Sequence, residues 1–138
     1  MEIGHKPAGE HPWGDAESVY VEIGGDPAVR ELTEVFYDIV AETSPVLTAM
    51  LPDDTSDTRQ KLYEFLSGWM GGPPLFYERR GHPALRMRHA RFTIGELEAS
   101  EWTRCMEAAI ARVVSKPALA SFLSRQLTSA ALHLRNRA

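Results

Sequence analysis

The chain has a single cysteine, Cys105, among 138 residues. One thiol excludes an intrachain disulfide, a multi-cysteine zinc site and an iron–sulfur cluster. It suits a reducing compartment, so the cytoplasm is the expected location. No apolar run approaches the ~20 residues a membrane span needs, and the N-terminal stretch has no signal-peptide core. Nor is there a basic excess: 15 Lys and Arg face 19 Asp and Glu, a net charge of −4. Nucleic acid is therefore not an expected partner, and neither is a membrane. The chain lacks a phosphate-binding glycine loop, a dinucleotide fingerprint, a His-Glu-x-x-His pair and a nucleophile elbow. It also lacks sustained strand alternation, a hairpin signal and any internal repeat. What remains is an all-α chain long enough for one domain with a proper core.

The helical pattern reads in order. Residues 1–14, with Gly4, Pro7, Gly9, Pro12 and Gly14, form a flexible arm, and residues 15–138 the domain. His5 and His11 are expected in solvent, with Trp13 pinning the arm to the body. Asp15–Tyr20 suggests a brief helix stopped by Gly24-Gly25. Asp26-Pro27 reads as an N-cap and a first-turn proline. Val29, Leu32, Val35, Phe36, Ile39 and Val40 then repeat at helical spacing. Tyr37, just off that stripe, is either a boundary tyrosine or a hydroxyl at a pocket edge. Ser44-Pro45 opens a short helix that ends at Leu51-Pro52. Residues 53–57 offer caps for a helix whose Leu62, Phe65, Leu66 and Trp69 share one face, with Thr58 one turn earlier. That stripe is a core face unless something planar lies against it. Glu96, Glu98 and Glu101 open a later helix, and Trp102, Cys105, Met106, Ala109, Ile110 and Val113 form its buried side. After Pro117 a last helix turns Leu119, Phe122, Leu123, Leu127, Ala130, Ala131 and Leu134 inward, leaving His133 on the surface. Cys105, buried in mid-helix, is not expected to react.

Between those halves lies the most informative stretch. Gly71-Gly72-Pro73-Pro74 stops one helix. Gly81-His82-Pro83 starts another, with Pro83 expected at its first position. There Leu85 and His89 lie four apart on one face, with Arg86 and Arg88 to either side and Phe92 one turn beyond. A lone histidine on an apolar face is commonly a satisfied core residue. The same arrangement also meets the needs of an iron porphyrin: one neutral nitrogen ligand, flat apolar walls and cations for two propionates. Arg79, Arg80, Arg86, Arg88 and Arg91 are either a solvated face or a dock for a small dianion.

Taken together, Trp69-Met70-Gly71-Gly72-Pro73, Tyr77-Glu78-Arg79-Arg80-Gly81-His82-Pro83 and Leu85-Arg86-Met87-Arg88-His89-Ala90-Arg91-Phe92 resemble the group II truncated haemoglobins. The onward spacing to Trp102-Thr103-Arg104-Cys105-Met106 agrees, and the resemblance runs over residues 17 to 135. It implies a two-over-two helical sandwich around haem b, with His89 as the proximal iron ligand. It further implies that Trp102 and Tyr37 donate hydrogen bonds to the bound ligand. Thr58 and Leu62 would face the haem, with Phe65 and Leu66 behind them, and Arg88 and Lys61 would meet the propionates. One place departs from the pattern. Before the proline of the short inter-helix turn, where the family has an aromatic residue or histidine, this chain has Leu51 before Pro52.

The resemblance implies binding of dioxygen, carbon monoxide, nitric oxide or peroxide. It leaves three uses open: oxygen binding or transport, nitric oxide dioxygenase work, and peroxidase-like chemistry. The oxidising cycles need a separate reductase, since the chain has no flavin or nicotinamide motif. A monomer and a homodimer are both compatible with the sequence. The competing reading is a haem-free helical interaction domain whose arginine patch binds an acidic partner. It predicts a colourless protein that folds fully without cofactor.

Overall fold

A computed structural model describes residues 10–90 and 92–136, the Arg86 side chain excepted. The described residues are helical with no strand, only an isolated bridge between His11 and Gly14. The helices are α1 (Val19–Ile23), α2 (Asp26–Thr43), α3 (Pro45–Thr48), α4 (Ser56–Trp69), α5 (Leu75–Arg80), α6 (Leu85–Arg88), α7 (Glu96–Val113) and α8 (Pro117–His133). Two long pairs make the frame: α2 packs on α4, and α7 packs on α8, with α2 lying across α7 to join them. No described helix is long and apolar enough to cross a membrane.

The apolar periodicity of each long helix becomes its buried face. On α2 this is Val29, Leu32, Phe36, Ile39 and Val40, and Phe36 is among the largest wholly enclosed side chains. Such a ring contributes about 3–5 kcal/mol against truncation to alanine. On α7 the face is Ala99, Cys105, Met106, Ala109 and Ile110, and on α8 it is Leu119, Phe122, Leu123, Leu127 and Ala131. Cys105 is fully buried, and His133 is exposed.

Several ends differ from the sequence expectation. The helix expected over Asp15–Tyr20 is displaced to Val19–Ile23. Ser18 Oγ accepts from the Val21 amide at 3.1 Å, while Glu22 Oε1 accepts from the Ala16 amide at 2.9 Å. The backbone of the preceding residues is thus tied to side chains. Asp26 is the first residue of α2 rather than its cap, and its carboxylate accepts from Arg30 and from the Tyr63 hydroxyl. Trp13 is 2% exposed and meets Phe122 edge-on at 5.4 Å. His11 is half-buried, stacked on Trp13 at 4.4 Å, and not in open solvent. His5 and the arm's residues 1–9 lie outside the described residues.

The central stretch differs most. The stop at Gly71-Gly72-Pro73-Pro74 is followed at once by α5, a helix the spacing did not reveal. Gly72 is required by close approach, since a Cβ there would fall inside the Tyr20 ring. Pro83 is not in the first turn of α6, which begins at Leu85 after Ala84 in a left-handed conformation (φ 42°). Ala84 holds that unusual angle while its N–H donates to His82 Nδ1 at 3.0 Å. His89 is not inside α6 but caps its C-terminus.

Candidate functional site

A cavity of about 620 Å³ opens among α2, α4, α6, α7 and α8. That lies within the ~300–1,000 Å³ typical of cofactor and small-molecule sites. Its wall brings together every residue singled out for a haem site: Tyr37, Thr58, Lys61, Leu62, Phe65, Leu66, Arg88, His89, Phe92 and Trp102. The helix α4 supplies five of these because Thr58, Leu62 and Phe65–Leu66 recur on one side at three- and four-residue intervals. Of the stripe that could have been plain core, Leu62, Phe65 and Leu66 line the cavity, while Trp69 is buried in the core.

His89 is half-buried at the cavity, its ring 6.2 Å from that of Phe92. Its Nδ1 lies 2.7 Å from the Leu85 carbonyl. A carbonyl can only accept, so Nδ1 carries a proton, and in the neutral ring the lone pair is then on Nε2. The four-residue spacing that put Leu85 and His89 on one face thus also fixes the tautomer. Among the described residues no three His, Cys, Asp or Glu converge to cage a bare metal ion. A single imidazole in an apolar chamber instead suits an iron that brings its other ligands with it.

Two donors stand at this cavity without an acceptor among the described residues. Tyr37 is 9% exposed, its ring edge-on to Phe36 at 4.9 Å, and its hydroxyl makes no hydrogen bond. Burial pushes its phenol above the ordinary value, with the Arg59 guanidinium pulling weakly the other way, so the proton stays on. Trp102 leans on Phe36 at 5.2 Å, and its indole N–H likewise has no protein acceptor. No buried side-chain nitrogen or oxygen among the described residues lacks a partner, so these two donors keep access to open space, and both residues line this cavity. A polar ligand held there could therefore accept from them.

Cations and wall residues complete the chamber. The Lys61 ammonium lies 3.0 Å from Asp57, and the Arg88 guanidinium donates to the Arg80 and His82 carbonyls, each at 3.1 Å, above the Phe76 ring. Leu51 and Pro52 line the cavity, so the apolar residue before that proline does border the site. Sequence reasoning did not single out Phe36, Phe76 or Leu85 as lining residues. Phe36 was legible only as core, and Phe76 sits on the unforeseen α5.

The arginine cluster is not an open dock. Glu64 on α4 is 1% exposed and outside the cavity. Its carboxylate accepts from Arg79 at 3.0 Å, from Arg80 at 2.7 Å and from Gln60 at 2.9 Å. Burial pushes this carboxyl up, but the bonds from Arg80, Gln60 and Arg79 outweigh it and hold it down at about 2. Arg79 and Arg80 therefore neutralise a buried carboxylate, while Arg91 and the Arg86 side chain lie outside what is described. An acidic partner would find much of the expected patch already engaged.

Comparison with known proteins places this architecture. A family model described as bacterial-like globin matches residues 18–136. The group 2 truncated haemoglobin YjbI of Bacillus subtilis is 36% identical over 113 residues, covering 82% of this chain and 85% of that protein. The cold-adapted truncated haemoglobin of the Antarctic bacterium Pseudoalteromonas haloplanktis superposes with a TM-score of 0.85 at 36% identity, covering 88% of this chain and 99% of that one. A truncated oxygen-avid haemoglobin from Bacillus subtilis gives 0.81 at 36% identity, over 86% and 99% of the two chains.

Proposed function

The chain belongs to the bacterial-like globins, among the group 2 truncated haemoglobins, and from that premise we propose that it holds haem b in the cavity with His89 on the iron. Haem-based oxygen binding comes with the family. When bound, the haem iron supplies an open coordination position that holds and polarises a diatomic ligand. The chain's own residues do the rest.

His89 offers Nε2 as a neutral donor because the Leu85 carbonyl occupies Nδ1, and that bond holds the ring in one orientation. This is the observation that carries the reading. Leu62, Phe65 and Leu66 line the cavity and would give the haem an apolar wall, with Phe92 beside the imidazole. Thr58, on the same wall, would face the haem. Arg88 and Lys61 would meet the propionates. Tyr37 Oη and Trp102 Nε1 would donate to the ligand, because both residues line the cavity and neither donor meets an acceptor among the described residues. Pre-aimed donors cost no reorganisation when charge develops on their acceptor, as at an oxyanion hole.

Donors held this way also favour reaction of the ligand with nitric oxide, or work on peroxide, over simple delivery. A separate reductase would then return the electrons. A cytoplasmic setting matches this use.

The test is an absorption spectrum of purified protein, ferric and reduced, with and without carbon monoxide, beside His89→Ala. We expect a strong Soret band that shifts with carbon monoxide and is lost or altered in the variant. A protein that stays colourless when haem is supplied would refute the assignment. An unchanged spectrum in His89→Ala would move the iron to another ligand.

A further inference from the structure

We propose that Glu64, a carboxylate buried outside the cavity, is a positioning residue that sets the seat of His89 through Arg80 and Arg88. The proposal rests on the assignment of His89 to iron and adds to it how that histidine is held. The segment from Gly81 to His89 contains only the single turn of α6, which cannot hold itself in place. It includes the one described non-glycine residue with a positive φ, Ala84, whose conformation must be imposed by surrounding contacts.

Those contacts form a continuous path. Glu64 Oε1 receives Arg80 Nε at 2.7 Å, and this fixes the last residue of α5 on α4. The Arg80 carbonyl receives the Arg88 guanidinium at 3.1 Å, and the same nitrogen reaches the His82 carbonyl at 3.1 Å. Arg80 and Arg88 both face the Phe76 ring, at 5.9 and 4.9 Å from its centre. Arg88 adjoins His89, whose ring is tied to Leu85. The wall carrying Leu62, Phe65 and Leu66 and the segment presenting His89 are thus joined through one carboxylate. A buried ion pair contributes little net stability compared with apolar packing, but its geometry is directional and specifies one arrangement. That makes it suited to fixing a short segment that lacks a helix of its own.

Arg79 provides the internal control. It binds the same carboxylate at 3.0 Å, yet no described hydrogen bond links it to the segment beyond α5. Either arginine can be removed while Glu64 keeps the other and Gln60, so both variants should fold. The measurements are the iron–imidazole stretching band of the reduced protein by resonance Raman, and the rate of haem loss to excess apomyoglobin. Arg80→Met is expected to shift or broaden the band and to accelerate haem loss roughly tenfold, a coupling of about 1.4 kcal/mol. Arg79→Met should leave the band in place, and Glu64→Gln should follow Arg80→Met. Equal shifts from both arginine variants, or none from Arg80→Met, would overturn the relay while leaving the iron assignment intact. Absence of the band in the unmodified protein would overturn both.

Discussion

Removing one oxygen atom from Tyr37 tests the distal side of the site, because the fold and the ligand respond in different directions. Tyr37→Phe leaves the ring against Phe36, 4.9 Å away, and deletes a hydroxyl that has no partner among the described residues. Such a deletion removes no hydrogen bond from the protein, so without ligand the variant should be as stable as the parent or slightly more so. Ligand binding should suffer. A hydrogen bond to a charged acceptor is worth ~1.5–3 kcal/mol, and ~1.4 kcal/mol is a factor of ten. Oxygen should therefore leave about ten to a hundred times faster when the ligand carries substantial charge. Stopped-flow displacement of oxygen by carbon monoxide measures that rate, and thermal unfolding of the ferric protein measures the fold. Trp102→Phe is the companion, since it deletes the other unpaired donor and keeps a ring beside Phe36. A double-mutant cycle then separates a direct bond from one acting by orienting its neighbour. Off-rates unchanged in both variants would refute the donor assignment. A loss of stability beyond about 1 kcal/mol in Tyr37→Phe would show that the hydroxyl serves the fold.

Two further predictions concern the frame. The Glu64 carboxyl is held at about 2 in the fold, against an ordinary 4.5. Its contribution is therefore complete above about pH 5 and is lost as pH falls from 4.5 towards 2, a change on the order of 3 kcal/mol by linkage. Comparing acid unfolding of Glu64→Gln with the parent checks this. The variant should be weaker at neutral pH and flatter across that window, and parallel curves would contradict the assigned role. Gly72→Ala would force a methyl into the Tyr20 ring, and overpacking of that kind costs about 1–3 kcal/mol. A melting temperature equal to the parent's would mean that the α1 region shifts aside freely.

Much of this protein could be read from short-range spacing. The helical repeats on α2, α4, α7 and α8 follow from where apolar residues recur, since a helix turns the same way wherever its sequence lies. The stop at Gly71-Gly72-Pro73-Pro74 is local backbone chemistry, and the Leu85–His89 interval already contained the bond that fixes the imidazole tautomer. The ordered runs around Trp69, Tyr77 and His89 identified the family before any coordinates. Tertiary structure decided what each group meets. Five arginines close in sequence looked like one patch, yet Arg79 and Arg80 turn to a carboxylate fifteen and sixteen residues upstream. Tyr37, by its pattern either a boundary tyrosine or a hydroxyl at a pocket edge, lines the cavity because of how α2 packs against α7 and α4. Pairings of this kind depend on how helices pack against one another, and that is set by the whole core rather than by any interval along the chain.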